Sequence, residues 1–201
     1  MPVGTIPAIV HVELPQTLLQ WALAGAAVAT VVFFGAGLTL YFERATRQRW
    51  VLSLHYGSML LAAVQTAGIV VLPNRDDVYV MTAIGMYTLA MLLFLGAIEA
   101  AKRTRLQRSF VDLPLPDRLI TDGPFRWIRH PFCAGYVLAA AAGPVATAHW
   151  LMFLVSPPLI GLAVAAAVRE ERVWLASGRA AEYHAYQQRT GMLVPFVGRG
   201  Q

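Results

Sequence analysis

From residue 17 to residue 42 the chain reads TLLQWALAGAAVATVVFFGAGLTLYF with no charged side chain. At about 1.5 Å per residue such a helix is long enough to cross roughly 30 Å of hydrocarbon. Gly25, Gly35 and Gly37 in this run would let a neighbouring helix approach closely. A polar break with Arg44, Arg47 and Arg49 ends at Trp50, a residue suited to the membrane interface. The second apolar run, 51–72, has His55, Gln65 and Thr66 as its polar members. Interhelical hydrogen bonds are their simplest use, and His55, near the basic end, is also a candidate on the substrate-pocket side. PNRDD at 73–77 is a polar turn, and 78–98 is a third apolar run. EAAKRTRLQRSF then predicts a helix leaving the membrane with a basic face, followed by a loop rich in Pro and Asp.

Residues 132–168 hold no charge over 37 positions, too long for one span and about right for two short ones. The pattern predicts a tight helical hairpin that turns at Gly143–Pro144 or between Thr147 and Trp150, with Pro157 and Pro158 kinking its second arm. The fold class is therefore an all-α, multi-pass transmembrane protein of about five spans with a C-terminal helical hairpin and a cytoplasmic tail. Residues 1–201 form a single membrane domain, with three N-terminal spans in 17–98 and a distinct region at 119–196 that includes the hairpin 132–168.

Composition supports this reading, since 57% of the 201 residues are hydrophobic and only 13% charged, which excludes an ordinary soluble domain. The net charge of +5 then reports topology, and nucleic acid is not an expected partner. With five spans, fifteen of the sixteen Lys and Arg residues fall on one side and Arg75 alone on the other. The positive-inside rule places the N-terminus outside and the C-terminus in the cytoplasm. The first sixteen residues lack a basic n-region and a small-residue cleavage site, and read as mature sequence. Fifteen arginines against one lysine, among many alanines, point to a GC-rich bacterial genome and so to a bacterial cytoplasmic membrane. The single cysteine, Cys133, allows no intramolecular disulfide, and no Cys/His spacing matches a zinc site, so no metal is expected.

Against this apolar background stands TDGPFRWIRHPFCAGY, residues 121–136, with Arg169-Glu170-Glu171-Arg172 at the end of the next apolar run. Charges in or beside lipid are costly and usually functional. Adjacent glutamates on a helix lie about 100° apart, so only one can face a given pocket squarely. With Arg129 and His130 they can form a polar pocket for a small zwitterion or cation. The plainer alternative makes the arginines headgroup anchors and the glutamates their partners. A metal reading from His130, Cys133 and one glutamate lacks a second ligand pair. A Cys133 nucleophile with His130 as base lacks an orienting third group.

The run GPFRWIRHPFCAGY, followed by EERVWL and then EYHAYQQRTGMLVPF, resembles the isoprenylcysteine carboxyl methyltransferase family and its phospholipid N-methyltransferase relatives. The resemblance covers residues 119–196 and rests on Arg-His-Pro, a variable spacer and Glu-Glu. It implies an integral membrane methyltransferase that uses S-adenosyl-L-methionine on a lipophilic small-molecule or lipid acceptor entering from the bilayer. It also implies that Arg129, His130, Pro131, Gly135, Tyr136, Glu170, Glu171 and Tyr183 bind the cofactor. In that reading Arg129 or His130 meets the cofactor carboxylate and a glutamate its ammonium, both charge-assisted contacts. Pro131 suits the first turn of a helix, Gly135 permits close backbone approach, and Tyr183 with Tyr186 helps close the site. Where many relatives have a tyrosine, this chain has Cys133, which leaves the acceptor class open. Two other readings remain: an NADPH-dependent reductase of the sterol-reductase type, and a non-enzymatic membrane subunit that keeps the fold.

Overall fold

A computed structural model describes residues 17–41, 49–103 and 119–196, with side chains in 37–41 and 49–56 left aside. Six α-helices follow in order: α1 Leu18–Tyr41, α2 Arg49–Val71, α3 Asp77–Arg103, α4 Pro131–Thr147, α5 Trp150–Leu175 and α6 Ala180–Gln187. A short 3-10 turn, Gly123–Arg126, precedes α4. No strand occurs among the described residues, only an isolated parallel bridge between Ile128 and Gly191. The chain is an all-α, multi-pass membrane protein. Leu18–Ala36 of α1, Asp77–Arg103 and Trp150–Leu175 are each long and apolar enough to cross a membrane, while Gly57–Val71 and Pro131–Thr147 are shorter. The basic helix expected from Glu99 begins as the last turn of α3, up to Arg103, and the rest of it lies outside the described residues.

The helices alternate in direction. The turn between α2 and α3 meets the turn between α4 and α5, where the Arg75 amide donates to the Ala146 carbonyl at 2.8 Å. The end of α3, the start of α4, the end of α5 and α6 gather at the opposite pole, where α6 and residues 190–192 close on the segment before α4.

Packing explains the helix positions. Gln65 of α2 donates to the carbonyls of Ala139 and Ala140, both at 3.0 Å, across to α4. Gly143 makes this possible, because a Cβ there would stand 2.8 Å from Gln65 Nε2. That proximity also explains why the hairpin does not turn at Gly143–Pro144: α4 continues to Thr147, and Ala148 adopts the left-handed conformation that ends it. The ring of His149 then caps α5 by accepting from the Leu151 amide at 3.3 Å. α5 runs on through Pro157 and Pro158 as one helix. Thr66 bonds within its own helix, to Ala62, instead of across to another.

Close approach of α3 and α4 comes from Gly135, whose Cβ would lie 3.1 Å from the Ala90 carbonyl. In α1, Gly25 has open space around it and a Cβ at Gly35 would meet the Met59 side chain, while the surroundings of Gly37 lie outside the described residues. Beside Gly135 an aromatic cluster fills the boundary, with Phe34 stacked on Phe94 at 4.4 Å and Phe132 edge-on to Phe94 at 4.9 Å. The start of α4 therefore sits level with Phe94, while α3 continues to Arg103, about 14 Å further along its axis. The polar groups at the head of α4 are thus set back from the end of α3.

Candidate active site

Pro131 opens α4 at a position where its missing amide proton costs nothing, and its fixed φ suits the helix. This places Arg129 and His130 just before the first turn. Both are held by backbone pairing with the chain after α6: the Arg129 amide donates to Gly191 at 2.8 Å and the His130 amide to Met192 at 3.1 Å. Return of α5 from the hairpin brings Glu170 and Glu171 to the same place.

The two glutamates have different surroundings. The Glu171 side chain is 14% exposed and its Oε1 accepts from Arg129 Nε at 2.6 Å. His130 Nε2 approaches the same oxygen at 3.1 Å, and Gln187 Nε2 donates to Oε2 at 2.9 Å. Arg129 is itself buried and also donates from Nη1 to the carbonyls of Gln187 and Thr190. Glu171 and Arg129 are therefore turned onto the protein's own groups. Glu170 is half exposed and touches His130 Nδ1 at 3.4 Å. It is the carboxylate of the pair that can meet a ligand.

His130 lies between them with both ring nitrogens engaged. Burial disfavours its charge, but the hydrogen bonds and charges of Glu170 and Glu171 outweigh burial and push its pKa up to about 9. At neutral pH it is an imidazolium donating to two carboxylates, with no lone pair to offer.

Tyr183 of α6 is buried, stacked on Trp174 at 5.5 Å with the rings 5° from parallel. Burial, and then the charges of Glu171 and Glu170, push its hydroxyl above the ordinary phenol range, so it stays protonated. That hydroxyl has no hydrogen-bond partner. A buried donor left unmatched beside the acidic pair is costly to keep and marks a place where a ligand oxygen would be welcome. The Tyr186 hydroxyl instead donates to the Phe125 carbonyl at 2.6 Å and fastens α6 to the 3-10 turn.

The structure thus gathers Arg129, His130, Glu170, Glu171 and Tyr183 at one pole. Pro131 sets the helix start, Gly135 serves the contact with α3, and Tyr136 points into the aromatic cluster, 4.7 Å from Phe34. The side chain of His55 lies outside the described residues. Cys133 is buried against Ala163, Ala167, Tyr136 and Met192. Sequence reasoning missed Gln187 and the carbonyl of Thr190, which complete the shells of Glu171 and Arg129. The available signal was the spacing of Tyr183, Tyr186 and Gln187, which places all three on one helical face. Among the described residues no group of three or more His, Cys, Asp or Glu is arranged to hold a metal ion.

Comparison with known proteins adds one likeness. The chain is similar to a methanethiol S-methyltransferase of Mycobacterium tuberculosis (strain ATCC 25618 / H37Rv), 36% identical over 75 residues. The match spans 37% of this chain and 30% of that protein. No family model matches the chain, and no solved structure does. The likeness and the apolar helices together support a membrane methyltransferase.

Proposed function

We propose that the chain uses S-adenosylmethionine to methylate a small lipophilic acceptor, best a thiol, at the cytoplasmic face of a bacterial membrane. The observation that carries this reading is the unequal acidic pair: Glu171 is fully engaged within the protein, while Glu170 is half exposed above it.

The residues present suit such a cofactor. Glu170 would receive its ammonium, and the Tyr183 hydroxyl would donate to one of its oxygens, the carboxylate being the strongest acceptor. His130 holds Glu170 in place through its Nδ1. Arg129 and Glu171 hold the loop and helix ends that carry these groups. Half exposure of Glu170 limits the ground-state grip, which favours turnover over tight storage. When bound, S-adenosylmethionine supplies an electrophilic methyl group, passed in line to an ionised acceptor so that opposite charges cancel.

The state of His130 argues against a hydroxyl or amine acceptor. A charged imidazole bonded at both nitrogens cannot take a proton from a hydroxyl or an amine. A thiol depends least on such help, being far more acidic than an aliphatic hydroxyl and giving an intrinsically strong sulfur nucleophile. The name of the relative, methanethiol S-methyltransferase, agrees with that class. The position of the site, set back from the end of α3, would let an apolar thiol arrive through lipid and a water-soluble cofactor arrive from the cytoplasm, with the N-terminus outside.

The test is methyl transfer from labelled S-adenosylmethionine by the detergent-purified protein to three acceptors: an alkyl thiol, an alkyl amine and an isoprenylcysteine carboxylate. Transfer to the thiol alone is expected. Transfer to the amine alone would overturn the acceptor assignment, and no transfer together with NADPH oxidation would overturn the reaction class.

A further inference from the structure

A groove of about 420 Å³ runs between α3 and the 3-10 turn. Leu89, Leu92 and Leu93 form its apolar wall, and Arg126 and Trp127 stand on the other side. It opens outward, with Leu92 60% and Trp127 52% exposed. Its floor is kept shallow-walled by two glycines. A Cβ at Gly96 would just touch Pro124, at 3.4 Å, and Gly123, with φ +59°, would press a Cβ to 3.3 Å from Ala100. The turn therefore lies tight on α3 and projects Arg126 beside hydrocarbon-facing leucines.

Arg126 is exposed at the mouth of this groove, where an anion would complement its charge. Its guanidinium stands 5.4 Å from the Trp127 ring, and among the described residues no carboxylate pairs with it. A cation next to lipid is costly unless it reaches water or an anionic headgroup, and tryptophan beside it marks the level of the headgroups. A lipid phosphate at that depth would complement the charge while one acyl chain lay along the leucine wall.

We infer that this groove binds one anionic membrane phospholipid, its phosphate on Arg126 and an acyl chain against Leu89, Leu92 and Leu93. The site is separate from the acidic pair and stands whatever reaction the protein catalyses. It also gives the exposed face of the turn a function, since the turn leads within three residues to Arg129 and is fastened to α6 through Tyr186.

The experiment is native mass spectrometry of the delipidated full chain titrated with phosphatidylglycerol or phosphatidylcholine. One phosphatidylglycerol should be retained in preference to phosphatidylcholine. Arg126→Gln should lower that retention about fivefold, the worth of one interfacial cation, while Arg126→Lys keeps most of it. Leu92→Trp, at an exposed position, should fill the groove and lower retention with the fold intact by circular dichroism. The inference is overturned if folded Arg126→Gln retains phosphatidylglycerol as the parent does, or if both lipids bind equally. A second copy of the chain in the groove, seen as a dimer that Leu92→Trp dissociates, would overturn it as well.

Discussion

Replacing each glutamate of the acidic pair by glutamine should give opposite outcomes. Glu171→Gln keeps size but removes the negative charge that neutralises Arg129, whose side chain is 3% exposed. Breaking a buried pair from one side typically costs about 3–5 kcal/mol. Arg129 still has the Gln187 and Thr190 carbonyls, so the lower end applies, about 3 kcal/mol. The amide would also present a donor to one of the three donors that Glu171 now accepts. Glu170→Gln removes a half-exposed charge with one 3.4 Å contact, and such pairs contribute about 0–1 kcal/mol. The assay is thermal unfolding in detergent followed by intrinsic fluorescence, alongside calorimetric binding of S-adenosylhomocysteine. Glu171→Gln should melt well below the parent, by roughly 6 °C or more for a chain of this size. Glu170→Gln should melt within a few degrees of the parent and bind the ligand poorly. Equal destabilisation by the two changes, or a thermally silent Glu171→Gln, would refute the division of roles.

The charge on His130 gives a pH signature: its folded pKa, about 9, lies above its ordinary 6.5, so its contribution is full below about pH 6.5 and is lost as pH rises through about 9. Melting temperature measured from about pH 6 to about pH 10 should fall over the alkaline half, and a flat or rising profile would contradict the protonated imidazole. Gly143→Ala should cost about 1–3 kcal/mol, because the new Cβ displaces Gln65 from its two carbonyls; unchanged melting would show that contact to be unimportant. Tyr183→Phe removes a hydroxyl without a protein partner, so melting should hold while ligand affinity falls roughly three- to tenfold, and unaltered affinity by calorimetry would remove Tyr183 from the site.

Uncharged runs and their polar breaks located α1, α2 and the starts of α3 and α4 within a few residues, because helix length in lipid is set by the hydrocarbon. Helices α3 and α5 run on five and seven residues past the expected ends. The hairpin turns at the second of the two places expected, between Thr147 and Trp150, and not at the first. Gly143 and Pro144 carry turn composition, yet Gly143 serves as the seat of Gln65, which bonds to Ala140, 75 residues away in sequence. Spacing likewise brought Arg129, His130 and the glutamates together, but it left the roles of Glu170 and Glu171 undivided. What separates them is the third partner, Gln187, together with the backbone pairing of residues 129–130 to 191–192. Those contacts arise only when α6 folds back, and neither leaves a periodicity to read.

The most direct test of the central claim is isothermal calorimetry of S-adenosylhomocysteine and NADPH on the folded parent and on Glu170→Gln. The parent should bind S-adenosylhomocysteine and not NADPH, and Glu170→Gln should weaken that binding more than about tenfold, as loss of a charge-assisted contact requires. Binding of NADPH alone, or undiminished S-adenosylhomocysteine binding by Glu170→Gln, would contradict it.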